Sequence, residues 1–212
     1  MAPTVRTQGT SVVPARPDRA EVHLHLHHVA PTPDAALQQV SERSRQLEAL
    51  LAELGIERAS WSSSGVSVNE HREWQDNRHV PLGYRATSHV LVRLVDADTI
   101  GRLLSEGVRR VGAAVVGPHW IIDADNPAHL EAYRLAAEDA RRRAQAYAEA
   151  LGLRLGSLQA LEEPALGQFG HLGVVTHRAA LMEDEGVPVN PGTVDVSAAI
   201  IATFTLEERA EG

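Results

Sequence analysis

Between residues 20 and 122 the chain alternates two periodicities in the order strand, helix, strand, strand, helix, strand, and that order restricts the folds open to it. Residues 20–29 (AEVHLHLHHV) open the series: Val22, Leu24 and Leu26 face one way, and His23, His25 and His27 the other. Thr32-Pro33 then supplies an N-cap and a proline suited to the first helical turn. Leu37, Val40, Ser44, Leu47, Leu51 and Leu54 follow at spacings of three and four, and Gly55 ends the helix. Two longer strands, about 59–72 and 79–95, are joined by the polar turn Gln75-Asp76-Asn77-Arg78. Asp96 or Asp98 caps a second helix with apolar positions Ile100, Leu103, Leu104, Val108 and Val111, stopped at Gly112, and Ala114 to Ile122 forms the closing strand.

Further elements flank this core. Residues 4–13 (TVRTQGTSVV) read as an N-terminal strand before the turn at Pro14–Asp18. Asn126-Pro127 opens a third helix, in which Leu130, Tyr133, Ala137, Ala140, Ala144, Tyr147 and Leu151 form an alanine-rich stripe. Glu138 with Arg142, and Asp139 with Arg143, stand four apart in the favourable order on its outer side. Residues 157–163 and 193–207 read as strands, separated by a Gly/Pro-rich excursion at 164–192 whose length marks it as functional or mobile. The expectation is an α+β fold with a mainly antiparallel sheet, three helices on one face, and extra N- and C-terminal strands. It predicts a single domain over residues 1–212.

Composition narrows function more than it identifies it. The formal charge is -8, from 28 acidic and 20 basic residues, which argues against a nucleic-acid partner because phosphate binding needs a cationic face. Cysteine is absent, which removes disulfides, thiolate catalysis and thiolate metal sites. No apolar run approaches the ~18 residues needed to span a bilayer. Met1–Arg6 shows no basic segment followed by a hydrophobic one. The expectation is therefore a cytoplasmic chain, or a periplasmic or secreted one if a signal peptide has been removed.

The run His23-Leu24-His25-Leu26-His27-His28 is the one chemically suggestive cluster. Histidines two apart on a strand project from the same face about 6.8 Å apart. In the usual order of such a unit the first and third strands are neighbours, so His89 joins that face. His23, His25, His27 and His89 are the candidate metal ligands, suited to zinc, copper or nickel. The commoner arrangement is a polar sheet face of half-buried histidines that serves as an oligomer contact. A third option is a pH response, because stacked imidazoles near a reference pKa of ~6.5 repel once protonated. His171 and His177 lie in the excursion with Glu183, Asp184 and Glu185, where solvated loop residues are the commoner state.

Catalytic signatures are missing. There is no phosphate-binding glycine loop, no Gly-x-Gly-x-x-Gly after a strand and no Gly-x-Ser-x-Gly elbow. Ser62-Ser63-Ser64-Gly65 lies within a strand, and adjacent Glu162 and Glu163 point to opposite strand faces. No catalytic residue and no cofactor is assigned.

Three separated stretches carry a family resemblance. They are Gly83-Tyr84-Arg85-Ala86-Thr87, the helix Arg134–Arg141 running into Leu151-Gly152-Leu153-Arg154-Leu155-Gly156, and the late strand Pro191–Ala198. In this order and at these separations the chain resembles the SIMPL-domain family of bacterial proteins, over nearly its whole length. The opening Val5–Gly9 and the turn Ala15–Ala20 are similar to the family's first strand and Pro-Asp turn. Glu70-His71-Arg72-Glu73-Trp74 departs from relatives, which often place a proline and a tyrosine there. The resemblance implies an α+β domain that self-associates into rings or cages, a loose association with oxidative or envelope stress, and no defined catalysis. Many relatives carry an export leader, and here the first strand begins by residue 4. The expected function is thus a non-catalytic, self-assembling protein whose partner is another copy of itself. The alternative is a transition-metal-binding protein using the histidine-rich strand 23–28.

Overall fold

The computed structural model describes residues 3–75, 78–164 and 189–209. In chain order the elements are β1 (Thr4–Ala15), β2 (Arg19–Ala30), α1 (Pro33–Glu53), β3 (Trp61–Gln75), β4 (Arg78–Leu94), α2 (Ala97–Glu106), β5 (Ala114–Ile121), α3 (Pro127–Ala150), β6 (Leu153–Glu162) and β7 (Val194–Glu208). They divide into two compact units, one built on residues 3–17, 122–164 and 192–209, the other on residues 18–121.

The second unit is the strand-helix-strand-strand-helix-strand core. Its sheet has the order β3-β4-β2-β5 with every pair antiparallel, so the first and third strands of the series are neighbours. Both helices cover the same face, onto which Ala20, Val22, Leu24, Leu26, Ala86, Val90 and Val92 project and are buried. Each large aliphatic side chain so enclosed contributes ~1.5–3 kcal/mol of transfer free energy. Helix α1 starts where the Thr32 hydroxyl accepts from the Ala35 amide at 3.3 Å, and it buries Ala36, Val40, Leu47, Leu50 and Leu51, leaving Leu37 40% exposed. Of the two candidate caps for α2, Asp96 is the one used, its carboxylate accepting from the Thr99 amide at 2.7 Å. A π-helical turn, Gly107–Val111, extends α2 and rotates Val108 outward while keeping Val111 inside.

The first unit holds the three-stranded antiparallel sheet β1-β7-β6, with α3 across it. The helices are thus shared between two sheets and are not gathered on one. The physical reason lies in the chain ends. Strand β1 pairs with β7 along its whole length, from Thr4 opposite Thr205 to Ala15 opposite Val194. That ladder satisfies both terminal strands by each other and gives α3 a separate sheet to cover.

The face α3 buries also differs from the expected stripe. Ala132, Ala136, Ala140, Ala144 and Ala148 are buried, whereas Leu130, Tyr133, Tyr147 and Leu151 are exposed. Spacing by four follows the inclined ridge of a 3.6-residue helix, so the buried line drifts around the helix as it crosses the sheet. Methyl-sized side chains let the backbones meet at Gly9, where an added Cβ would lie 2.0 Å from the Ala136 carbonyl oxygen. Asp139, expected on the surface, is 8% exposed and accepts from the Thr10 amide at 3.1 Å. It also pairs with Arg142 at 2.5 Å and with Arg143 at 2.8 Å. Glu138 turns back to Arg134 and not forward to Arg142. The Thr10 amide, ahead of the two guanidiniums, holds the Asp139 carboxyl below the usual carboxylate range.

Candidate functional site

With α1 and α2 on one side of the four-stranded sheet, strand alternation dictates what stands on the other. Strand β2 presents Glu21, His23, His25 and His27 there, and β4 presents Arg85, Thr87, His89, Leu91 and Arg93. The antiparallel register places His25 directly opposite His89 and His27 opposite Thr87. The Nδ1 atoms of His25 and His89 face each other in hydrogen-bond contact, with ring centroids 4.5 Å apart and planes at 83°. Next along β2, the His23 ring stacks on His25 at 6.4 Å with planes only 12° apart.

A further imidazole joins this row. The His119 ring on β5 meets His23 edge-on at 5.6 Å. The result is a chain of four rings, His89, His25, His23 and His119, across three strands. His119 lay beyond strict alternation. Ala114 and Val116 face outward, and counting by twos from them sends His119 inward and Trp120 outward. The register instead shifts between Glu21 and His23, opposite Gly117-Pro118, so His119 is exposed and Trp120 is buried at 7%. The Gly-Pro pair in the strand was the available signal.

The remaining candidates behave differently. His27 is exposed and joins none of these ring contacts; its carbonyl accepts from Arg43 at 3.1 Å. His71, on β3, meets Arg85 at 3.0 Å, and because a guanidinium only donates, the His71 Nε2 is the acceptor. His171, His177 and the acidic residues 183–185 fall outside the described residues.

Two Nδ1 atoms in contact require one to donate and the other to accept, so the His25–His89 pair holds a single proton between them. Burial, and after it the charges of His89 and His23, hold the His25 imidazole below the ordinary histidine range. Glu21 is engaged by Arg93 at 3.1 Å and orients no ring. Among the described residues no three histidine or carboxylate side chains converge ready-made on a metal position. The imidazoles meet in pairs.

Two concavities lie elsewhere. One of about 200 Å³, lined by Ser44, Leu47, Glu48, Trp61, Val66 and Ser88, opens between α1 and the β3–β4 hairpin. The Ser44 hydroxyl is spent on the Val40 carbonyl at 2.9 Å, so it is not primed as a nucleophile. A groove of about 420 Å³ in the other unit runs between α3 and β6, past Arg141, Gln145, Leu155, Leu158, Leu161 and Phe204. Neither lining contains a nucleophile hydrogen-bonded to a base, the minimum for covalent catalysis. No helix among the described residues is long and apolar enough to cross a membrane.

Comparison with known proteins places this architecture. The chain is 29% identical over 155 residues to the uncharacterized protein YggE of Escherichia coli K12, a match covering 73% of this chain and 63% of that protein. The YggE proteins of Escherichia coli O157:H7 and Shigella flexneri match by the same figures, so the chain spans under two thirds of the length of these relatives. The SIMPL family model, described as a protein of unknown function (DUF541), matches residues 5–204. The resemblance carried by Gly83–Thr87, Arg134–Gly156 and Pro191–Ala198 is thereby met, and the chain belongs to the SIMPL family.

Proposed function

We propose that this protein is a non-catalytic, self-associating member of its family, and that the histidine-bearing face of its four-stranded sheet meets the same face of a second copy. The observation that carries the reading is that α1 and α2 both pack on the face opposite the imidazoles. The face away from α1 and α2 mixes half-buried rings with aliphatic surface, Leu91 and the 47% exposed Val116 among them. It also carries both signs of charge, Glu21 against Arg85 and Arg93, as an isologous contact between identical surfaces requires.

Light scattering coupled to size exclusion at micromolar concentration tests it. The expected mass is a multiple of 22.9 kDa for the natural chain, falling to 22.9 kDa when Val116→Glu places a charge in the contact. A natural chain that runs strictly as a 22.9 kDa monomer overturns the reading.

A further inference from the structure

We propose that His25 and His89 form a two-imidazole site for a divalent transition cation of the Cu2+, Ni2+ or Zn2+ type. This goes beyond self-association and does not rest on it.

The argument begins with the facing nitrogens. Strand register alone brings His25 opposite His89, and their Nδ1 atoms turn toward each other while the rings stand nearly perpendicular. Without a cation this arrangement is satisfied by one shared proton, and a second proton is repelled. A metal ion in place of that proton receives a lone pair from each ring and relieves the competition for it. Metal–imidazole bonds of ~2.0–2.1 Å require only that the two rings separate slightly, a small rotation for side chains on an open sheet face. Imidazole must be neutral to ligate.

The donor set selects the kind of metal. Two imidazole nitrogens with water in the open positions suit borderline cations, with Cu2+ held most tightly by the general affinity order. The hard oxygen ligands that calcium and magnesium demand are lacking, since Glu21 is engaged by Arg93. His23 stacks on His25 and is itself in edge contact with His119, so the two ligand rings end a row of imidazoles. His27 stands outside the row and serves as the internal control.

The test is calorimetric titration of the full, tag-free chain with CuCl2 and separately with ZnCl2 at pH 7.5. Electron paramagnetic resonance of the Cu2+ form counts nitrogen ligands. One high-affinity equivalent is expected, with a copper spectrum of two nitrogen ligands. His89→Ala and His25→Ala should each weaken binding at least about tenfold, since even residues that only orient a metal ligand are worth 10–100-fold. His27→Ala should leave the affinity unchanged. No binding by the natural chain overturns the site, as does binding that survives His89→Ala undiminished or that falls equally with His27→Ala. His89 is exposed, so its variant keeps the test valid if His25→Ala fails to fold. Molar mass measured on the same samples separates the two proposals: a monomer that binds copper sinks self-association alone, and an oligomer that binds none sinks this site alone.

Discussion

Replacing Gly9 by alanine probes the closest backbone approach in the first unit. The added Cβ would stand 2.0 Å from the Ala136 carbonyl oxygen, 2.5 Å from the Ala140 amide nitrogen and 2.8 Å from the Ala140 Cβ. An ordinary carbon–oxygen contact relaxes only near 3.3–3.6 Å, so α3 and β1 must part by roughly 1.3 Å or more. None of the three atoms belongs to a flexible side chain that can swing aside. Overpacking costs about 1–3 kcal/mol, and backbone against backbone belongs at the upper end of that range. Alanine returns about 0.4–1 kcal/mol by restricting the unfolded chain, leaving a net loss of roughly 2–2.6 kcal/mol. For a chain of this size, each kcal/mol lowers Tm by about 2–4 °C, which gives a fall of about 4–10 °C. Thermal unfolding followed by far-ultraviolet circular dichroism measures it. The tryptophans Trp61, Trp74 and Trp120 all lie in the other unit, so their fluorescence reports this contact only through cooperative unfolding of the whole chain. Gly55→Ala is the matched control: its φ is +72° and an added Cβ meets nothing within 4 Å, so only left-handed strain of ~1–2 kcal/mol applies, before the same unfolded-chain gain. A Gly9→Ala transition no lower than that of Gly55→Ala refutes the close-approach reasoning.

Two further predictions concern protons. Asp139 has a depressed carboxyl pKa, so its stabilisation is complete above the unfolded value of ~3.9 and is lost as pH falls through the folded one. Asp139→Asn should therefore be less stable than the natural chain at neutral pH, with the gap in urea midpoints closing in acid; a gap independent of pH counts against the assignment. His25 has a depressed imidazole pKa, so the folded state binds fewer protons than the unfolded one and stability should decline as pH drops below ~6.5. The groups facing it are His89, His23 and, one ring on, His119, with the Glu21–Arg93 pair beyond. His25→Gln should flatten the decline between pH 7.5 and 5.5, and an unchanged slope refutes the role given to that ring.

Much of the candidate site was legible before any coordinates. Alternation in residues 20–29 separated Val22, Leu24 and Leu26 from His23, His25 and His27, because successive strand residues point to opposite faces. The strand-helix-strand-strand-helix-strand order made β2 and β4 neighbours, which brought in His89. His119 escaped because one bulge reverses the facing of every residue after it. Asp139 escaped because a carboxylate four residues before an arginine reads as a surface ion pair, and only the position of Thr10 on β1 shows it as a buried anchor.

The chain by itself determined the identity and order of the elements and which side of β2 and β4 is apolar, since these follow from periods of 2 and 3.6 and from local caps such as Thr32, Asp96 and Asn126. Tertiary structure decided how the strands divide into two sheets and which line of α3 is buried. Pairing between β1 and β7 joins residues nearly 200 positions apart, and the alanine ridge is chosen by how closely a helix can approach a strand at Gly9. Neither outcome has a local cause, because both depend on which backbones can come within contact distance once distant segments meet.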